Sequence, residues 1–502
     1  MKKFIYATLA LAAVLLFASC KNDKNQPKNE KADAYISFTF SLPQDGFRAE
    51  AGDVAGANAE DTYVGTKAEQ AINAVRVVLY DPASGDAKYA FDYNITGTGD
   101  AAPTGDGLAT NGTAATTARF TTKAEGVTSQ DYLMLAIINP TAEVKAATAQ
   151  GKTLLDAQTA ITSDATKLSA NGIMMSNDRG LVKVAPDKMK ADAATAEGAP
   201  VKVSVDRILA KVFVGGNPTL PEGVTFTGMK WQLNTTNTKT FIYRQFGQVV
   251  TGLDKLAVET AEDQSTRFQR YAQDPNFSGT FNVADFVYLE GTPDLTGEAG
   301  YEDAKGQYCL ENTMEAASQK IQQTTSFILS GVWTPKGFTK GETWYSYQGF
   351  TFTVAKMKDY ITEANDATKK DKADINGTPL GFKAALKALL AETPCPVTAD
   401  GTITKSFVSH DIKGYFKGVC YYQTNLIRHF NNDQSSKDMG YGRYGVVRNN
   451  IYKINLKKIS APGEPTVVND KDNPGDDDPT KVFVAFDVTI NPWIVRTQDI
   501  SL

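Results

Sequence analysis

Residues 35–48 read YISFTFSLPQDGFR. Ile36, Phe38, Phe40 and Leu42 alternate with Ser37, Thr39 and Ser41, and a period of two places every large apolar side chain on one face of a strand. The pattern predicts an edge-like strand with one buried face. Pro43, Asp45 and Gly46 then end it, so that Arg48 is expected on an exposed turn, where proteolytic nicking concentrates. A cut between Arg48 and Ala49 would detach a core strand from its domain.

The other end of the chain carries a second strand of the same kind. Val482, Val484, Phe486, Val488 and Ile490 alternate strictly, behind the Pro-, Gly- and Asp-rich run APGEPTVVNDKDNPGDDDPT at 461–480. A coil of that length averages about 25 Å end to end and reaches at most about 65 Å. One apolar strand can be removed, and a similar one hangs on a tether long enough to reach a neighbouring molecule.

At 502 residues, 42% hydrophobic and 22% charged, the chain has the composition of a globular protein and the length of two domains or more. Its net charge of −5 gives no support for nucleic-acid binding. Residues 1–19 read as a signal peptide: Lys2 and Lys3 precede an apolar run over 5–17, and FASC at 17–20 resembles a bacterial lipobox with Cys20 as the lipidated residue. The polar run 21–34 reads as a disordered tether.

Cys309, Cys395 and Cys420 remain, an odd number without a CxxC pair; three small buried thiols are expected, with one disulfide plus a free thiol as the other arrangement. His410 and His429 are the only histidines, and neither sits at ligand spacing. No phosphate loop, GxSxG or metal-spaced cluster is present, so no catalytic residue, metal or cofactor is expected and the chain does not read as an enzyme.

Between the two ends, strands are expected over 71–80, 132–138, 201–214, 224–233, 241–246, 281–289, 326–333, 350–355, 419–422 and 451–459. Residues 141–161 have helical composition, divided at Gly151 with Leu154 and Ile161 on the buried face. A second helix is expected over 380–391, capping a sheet with Phe382, Leu386, Leu389 and Leu390. In 201–214, Val201, Val203 and Val205 point one way before the segment turns uniformly apolar, as a chain does on passing from one core to another. The domain junction is placed there.

FASC, ISFTFSLP followed by Arg48-Ala49, IMMS at 173–176, VDRILAKV at 205–212, and VVRNNIYKINLKKI at 446–459 followed by the acidic linker and NPWIV together resemble the fimbrillins of Bacteroidales-type bacteria. Within that family the chain looks most like the major, or shaft, subunits of the short (minor) fimbria. The resemblance implies a mainly β protein, with two transthyretin-like β-sandwich domains and a few accessory helices. It implies a signal peptide 1–19, a lipidated propeptide 20–48 holding the removable strand, an N-terminal domain 49–205, a C-terminal domain 206–480 and a donor-strand region 481–502. It further implies export as a palmitate-bearing lipoprotein of the outer membrane and cleavage after Arg48 by an Arg-specific extracellular protease. Head-to-tail self-polymerisation would follow, with Val482, Val484, Phe486, Val488 and Ile490 replacing Ile36, Phe38, Phe40 and Leu42. The implied product is a fimbrium (pilus) with accessory anchor and tip subunits. It would meet host or bacterial surface receptors and serve adhesion, biofilm formation, host colonisation and virulence.

The rival reading is a surface-exposed glycan-binding lipoprotein, in which Trp231, Trp333, Trp344 and Trp493 stack on sugars. Such a protein would have no use for a cut at Arg48.

Overall fold

The computed structural model describes residues 32–42, 65–98, 101–110, 119–178, 180–245, 272–278, 280–315, 318–369, 372, 374–429, 444–468 and 484–492. The chain is mainly β, as expected. The strands that matter most here are β1 (Ala34–Ile36), β2 (Phe38–Ser41), β3 (Arg119–Thr121), β4 (Val201–Arg207), β5 (Leu209–Gly215), β6 (Asn450–Ile459) and β7 (Val484–Pro492).

The N-terminal sheet runs in the order Ala87–Tyr93, Val75–Tyr80, Tyr132–Ile138, Met175–Asn177, β4, β2, β3. Strands from both of its ends feed one core, which holds Phe91 from one arm and Phe120 from the other, with Ile36, Phe38, Phe40, Val77, Met134 and Val203 between. The unbroken apolar run YLMLAII follows from burial on both faces. Met134, Ala136 and Ile138 enter this core, whereas Leu133, Leu135 and Ile137 enter a second one.

That second core lies between the halves of the chain, where Val144 and Leu154 meet Ile208, Leu209, Phe213, Tyr243, Leu310 and Ile451. Val144 and Leu154 sit on two short helices, Ala142–Ala147 and Leu154–Gln158. Gly151, at φ 79°, stands in the turn between them, where a residue with a side chain would be strained. Ile161, expected on the helical face, instead opens the strand Ile161–Thr162, paired to Lys239–Thr240.

The run 201–214 does change cores. β4 ends at Arg207, Ile208 alone separates it from β5, and Ala210, Val212 and Val214 enter a third core with Trp231, Phe327, Trp333, Tyr452 and Ile454. Two four-stranded sheets share that core: Gln307–Leu310, β5, β6, β7; and Gly297–Glu298, Thr225–Asn234, Ser326–Thr334, Val419–Leu426. β5 pairs parallel to β6, and β6 antiparallel to β7.

Between Ser326–Thr334 and Val419–Leu426 the chain builds a further layer that the sequence reading did not separate. Its sheet, in the order Phe350–Thr353, Trp344–Tyr347, Ile412–Tyr415, Phe407–Ser409, packs against helices α1 (Val354–Asn365) and α2 (Phe382–Leu390). Phe382, Leu386 and Leu389 are buried there with Tyr345, Phe352 and Met357, and Leu390 is half-buried. The strand expected over 350–355 stops at Thr353, whose hydroxyl accepts from the Lys356 N–H and starts α1. Trp344 stacks on Tyr415 at 3.8 Å and joins this layer to the sandwich core.

Two other expected strands fail. Residues 241–245 are irregular, with Ile242, Tyr243 and Arg244 buried where the loop crosses between the halves, and residue 246 lies outside the described residues. Over 281–289 a 3-10 turn, Val283–Asp285, leaves only Phe286–Val287 extended.

The charged residues of VDRILAKV and VVRNN are buried at this junction. Arg244 Nη2 lies 2.8 Å from Asp206 Oδ2, Arg448 Nε 2.8 Å from Glu311 Oε2, and Asn449 Nδ2 donates to Asp206 Oδ1 at 2.7 Å. Nearby, Lys211 Nζ lies 2.6 Å from Glu69 Oε1, which the Tyr308 hydroxyl also reaches, and Arg207 Nε donates to the Glu69 carbonyl. Burial pushes the Glu69 carboxyl up, but the Lys211 ammonium together with hydrogen bonds from Lys211, Tyr308 and the Thr66 N–H holds the group below its ordinary value.

Removing one member of such a set leaves an uncompensated buried charge. Glu311→Gln, which leaves Arg448 and Arg244 without their shared carboxylate, is expected to lower stability by about 3–5 kcal/mol. Urea unfolding of the two proteins at neutral pH measures it, and an unchanged midpoint would refute the assignment.

Candidate functional site

Backbone pairing defines the place of the first strand. β1 lies antiparallel to Glu125–Val127, with Ile36 opposite Glu125. At Ser37 the chain changes partners. β2 then runs parallel to β4, pairing Phe38 with Val201, Thr39 with Lys202, Phe40 with Val203 and Ser41 with Ser204. On its other side it runs antiparallel to β3, pairing Thr39 with Thr121, Phe40 with Phe120 and Ser41 with Arg119. The strand is therefore interior and not edge-like, which corrects the sequence reading.

Both of its faces are buried, again unlike the expectation. Ile36, Phe38 and Phe40 have no exposed surface and Leu42 only 2%. Phe40 stacks on Phe120 with ring centres 4.9 Å apart and planes 8° from parallel. On the opposite face Ser37, Thr39 and Ser41 are at most 8% exposed. Two of these hydroxyls donate to carbonyls: Ser37 Oγ to Thr122 O at 2.7 Å and Thr39 Oγ1 to Phe120 O at 3.3 Å; Thr121 Oγ1 donates to Thr39 Oγ1. Polar side chains can occupy a buried face when their partners are in place.

Thr122 completes the frame. Its N–H donates to Phe38 O at 2.8 Å and its hydroxyl accepts from Phe38 N–H at 3.1 Å, while Val201 N–H donates to Ser37 O at 2.8 Å. Phe120, Thr121 and Thr122 do not stand out in the sequence as site residues. Their only signal, one phenylalanine in a stretch rich in Thr and Ala, is too short to show a period.

The last strand lies elsewhere. β7 closes on β6 with Ile459 opposite Val484 and Asn450 opposite Pro492, at the edge of its sheet. Val484, Phe486, Val488 and Ile490 are thus on a paired strand of their own chain, whereas Val482, Cys20, Arg48 and Ala49 lie outside the described residues.

Three of the tryptophans offered as sugar platforms are core residues. Trp231, Trp333 and Trp344 are at most 4% exposed, and Trp493 lies outside the described residues. Cys309, Cys395 and Cys420 are free thiols, two of them buried, with burial pushing Cys309 and Cys420 up to about 12. Among the described residues no cluster could hold a metal ion, and no helix is long and apolar enough to cross a membrane.

The fit of Phe40 against Phe120 is directly testable in the uncleaved chain. Phe40→Ala is expected to lower stability by about 3–5 kcal/mol, the range for emptying a packed aromatic site. Chemical denaturation checks it, and a loss under about 1 kcal/mol would mean that the site collapses freely.

Residues 413–499 match the family model described as major fimbrial subunit protein type IV, fimbrillin, C-terminal. No curated protein matches the chain. Similar solved structures include a cell adhesion protein from Parabacteroides distasonis, at 13% identity over 92% of this chain and 99% of that one with a TM-score of 0.42. Another is a fimbrilin from Porphyromonas gingivalis, at 14% identity over 93% and 99% with a TM-score of 0.38. A third is the C-terminally truncated tip fimbrial protein from Porphyromonas gingivalis, at 11% identity over 90% and 99% with a TM-score of 0.33. The matched segment, residues 413–499, contains β6, the acidic linker and β7, and is similar to the C-terminal part of fimbrillins.

Proposed function

We propose that the chain is a structural subunit of a cell-surface fimbria, made as a lipoprotein precursor and polymerised by protease-triggered exchange of strands between copies. The observation that carries this reading is the position of β2. A strand with two buried faces and two paired edges lies within residues 1–48, so one cut after Arg48 separates it from everything that follows. Its loss opens an apolar slot between β4 and β3 with two rows of unpaired backbone groups, which a new strand satisfies by β-augmentation.

In this reading Cys20 carries the lipid that holds the precursor at the outer membrane, and an Arg-specific extracellular protease cuts between Arg48 and Ala49. The mature chain has domains 49–205 and 206–480. Residues 481–502 enter a neighbouring copy, β7 leaving β6, and Val482, Val484, Phe486, Val488 and Ile490 refill the slot. Five such side chains bury a gross amount of about 8–15 kcal/mol, an upper bound before ordering and association are subtracted. The contact is head-to-tail and does not close on itself, so it generates a filament. Accessory anchor and tip subunits would end the filament, and surface receptors would be its targets in adhesion and biofilm formation. The glycan-binding reading gains nothing from tryptophans that lie in the core.

Arg48→Ala is expected to remain a lipidated monomer with its own strand in the slot, visible as a full-length species on gels of surface material. Polymers of uncleaved Arg48→Ala chain would remove cleavage as the trigger. Deleting residues 482–502 is expected to give a chain that is exported and cut but stays monomeric, and filaments of normal length from it would place the donor elsewhere.

A further inference from the structure

The two ends of the chain agree residue by residue. Written against Ile36, Ser37, Phe38, Thr39, Phe40, Ser41 and Leu42, the last strand offers Val484, Ala485, Phe486, Asp487, Val488, Thr489 and Ile490. Apolar stands against apolar and small or polar against small or polar. Only Asp487 for Thr39 and Val488 for Phe40 change charge or volume substantially.

Resting on the strand-exchange reading, we infer that β7 of one copy enters its neighbour in the direction and register of β2, with Asp487 in the place of Thr39 beside Lys202 of β4. Register partners fix that neighbourhood: Thr39 lies between Lys202 on one side and Thr121 on the other. Lys202 is exposed, and Thr121 already donates its hydroxyl to the Thr39 oxygen. A carboxylate in that place takes the Thr121 hydroxyl as donor and the Lys202 ammonium as cross-strand partner. The first strand has no charge there. The pair therefore exists only between copies.

Neighbouring registers fail at Ser37, which is 1% exposed. A slip of two residues one way brings Phe483 to that place, and a slip the other way brings Asp487. The first lacks room, and the second buries a carboxylate away from Lys202. A slip of one turns the apolar set to the wrong face. Ala485 fits the place. A strand reversed about Asp487 would also meet Lys202, but it would run antiparallel to β4 and parallel to β3. That inverts the hydrogen-bond spacing both edges carry with β2 in place.

The same register explains why exchange waits for the cut. Val488 in the place of Phe40 leaves Phe120 without the ring it stacks on, so the slot is filled less well by the donor than by the chain's own strand. While residues 1–48 are attached, the better-fitting and intramolecular strand holds the slot. Cleavage removes the competitor.

Full-length chains carrying paired cysteines, cut and allowed to polymerise, test direction and register together. Lys202→Cys with Asp487→Cys, and Ser204→Cys with Thr489→Cys, are each expected to give a ladder of copies on a non-reducing gel, which chains carrying only one substitution of a pair do not. A ladder from Ser204→Cys with Ala485→Cys, in place of Thr489→Cys, would overturn the direction. Polymers that still require residues 482–502 yet cross-link through none of these pairs would overturn the register while leaving strand exchange standing. Polymers indifferent to deletion of 482–502 would instead remove the exchange reading itself. Charge exchange adds a second readout. Lys202→Glu is expected to weaken the contact about fivefold and Lys202→Glu with Asp487→Lys to restore it, and equal loss in both would deny the pair.

Discussion

The strand Phe38–Ser41 is held by hydrogen bonds to Val201–Arg207 on one edge and to Arg119–Thr121 on the other, with its two faces packed as well. Among the described strands, Arg119–Thr121 joins the sheet only through it. Taking the strand away would leave two separated edges, an aromatic ring without its stacking partner and Thr122 without either of its bonds to Phe38. A slot framed in this way is intolerant of being empty, because both apolar surface and backbone polar groups would be exposed together.

One run of backbone leads from that slot to the sheet that holds the last strand. Val201–Arg207 borders the slot, and Leu209–Gly215, one residue further on, borders Asn450–Ile459, the strand on which the last strand closes. The first strand's place and the last strand are thus two pairings away from each other along a single run of backbone. The buried charges at this point, Asp206, Arg244, Glu311 and Arg448, hold the loop 241–245 and the approach to Asn450 against that run. Ion pairs so deeply buried give little net stability over apolar packing, but they tolerate few alternative arrangements.

The layer of Trp344–Tyr415 with its two helices stands apart from this path. It is inserted between two adjacent strands of the sandwich and meets it through Trp344, whose indole N–H donates to Trp333 O. Trp333 and Trp344, which look like a recognition surface in the sequence, serve as the seam between layers, and Trp231 lies in the sandwich core. The burial of these three takes away most of the sequence feature that favoured a sugar-binding protein.

The sequence by itself determined the mainly β class, the continuous apolar strand at 132–138, the alternation that opens 201–214, the change of core that follows it and the helix over 382–390. In each case a local pattern, a period or an unbroken apolar run, was long enough to report which faces are buried. It also showed two strands of like alternating pattern, one near each end of the chain. Only the tertiary structure decided that the first of them is interior, because the residues that cover its polar face, Phe120 to Thr122, lie some eighty positions away in a stretch with no period of its own. It likewise decided that Asp206, Arg207, Lys211 and Arg448 are buried, since a charge is legible as buried only when its partners are known, and Glu69, Arg244 and Glu311 are brought to them by the fold alone.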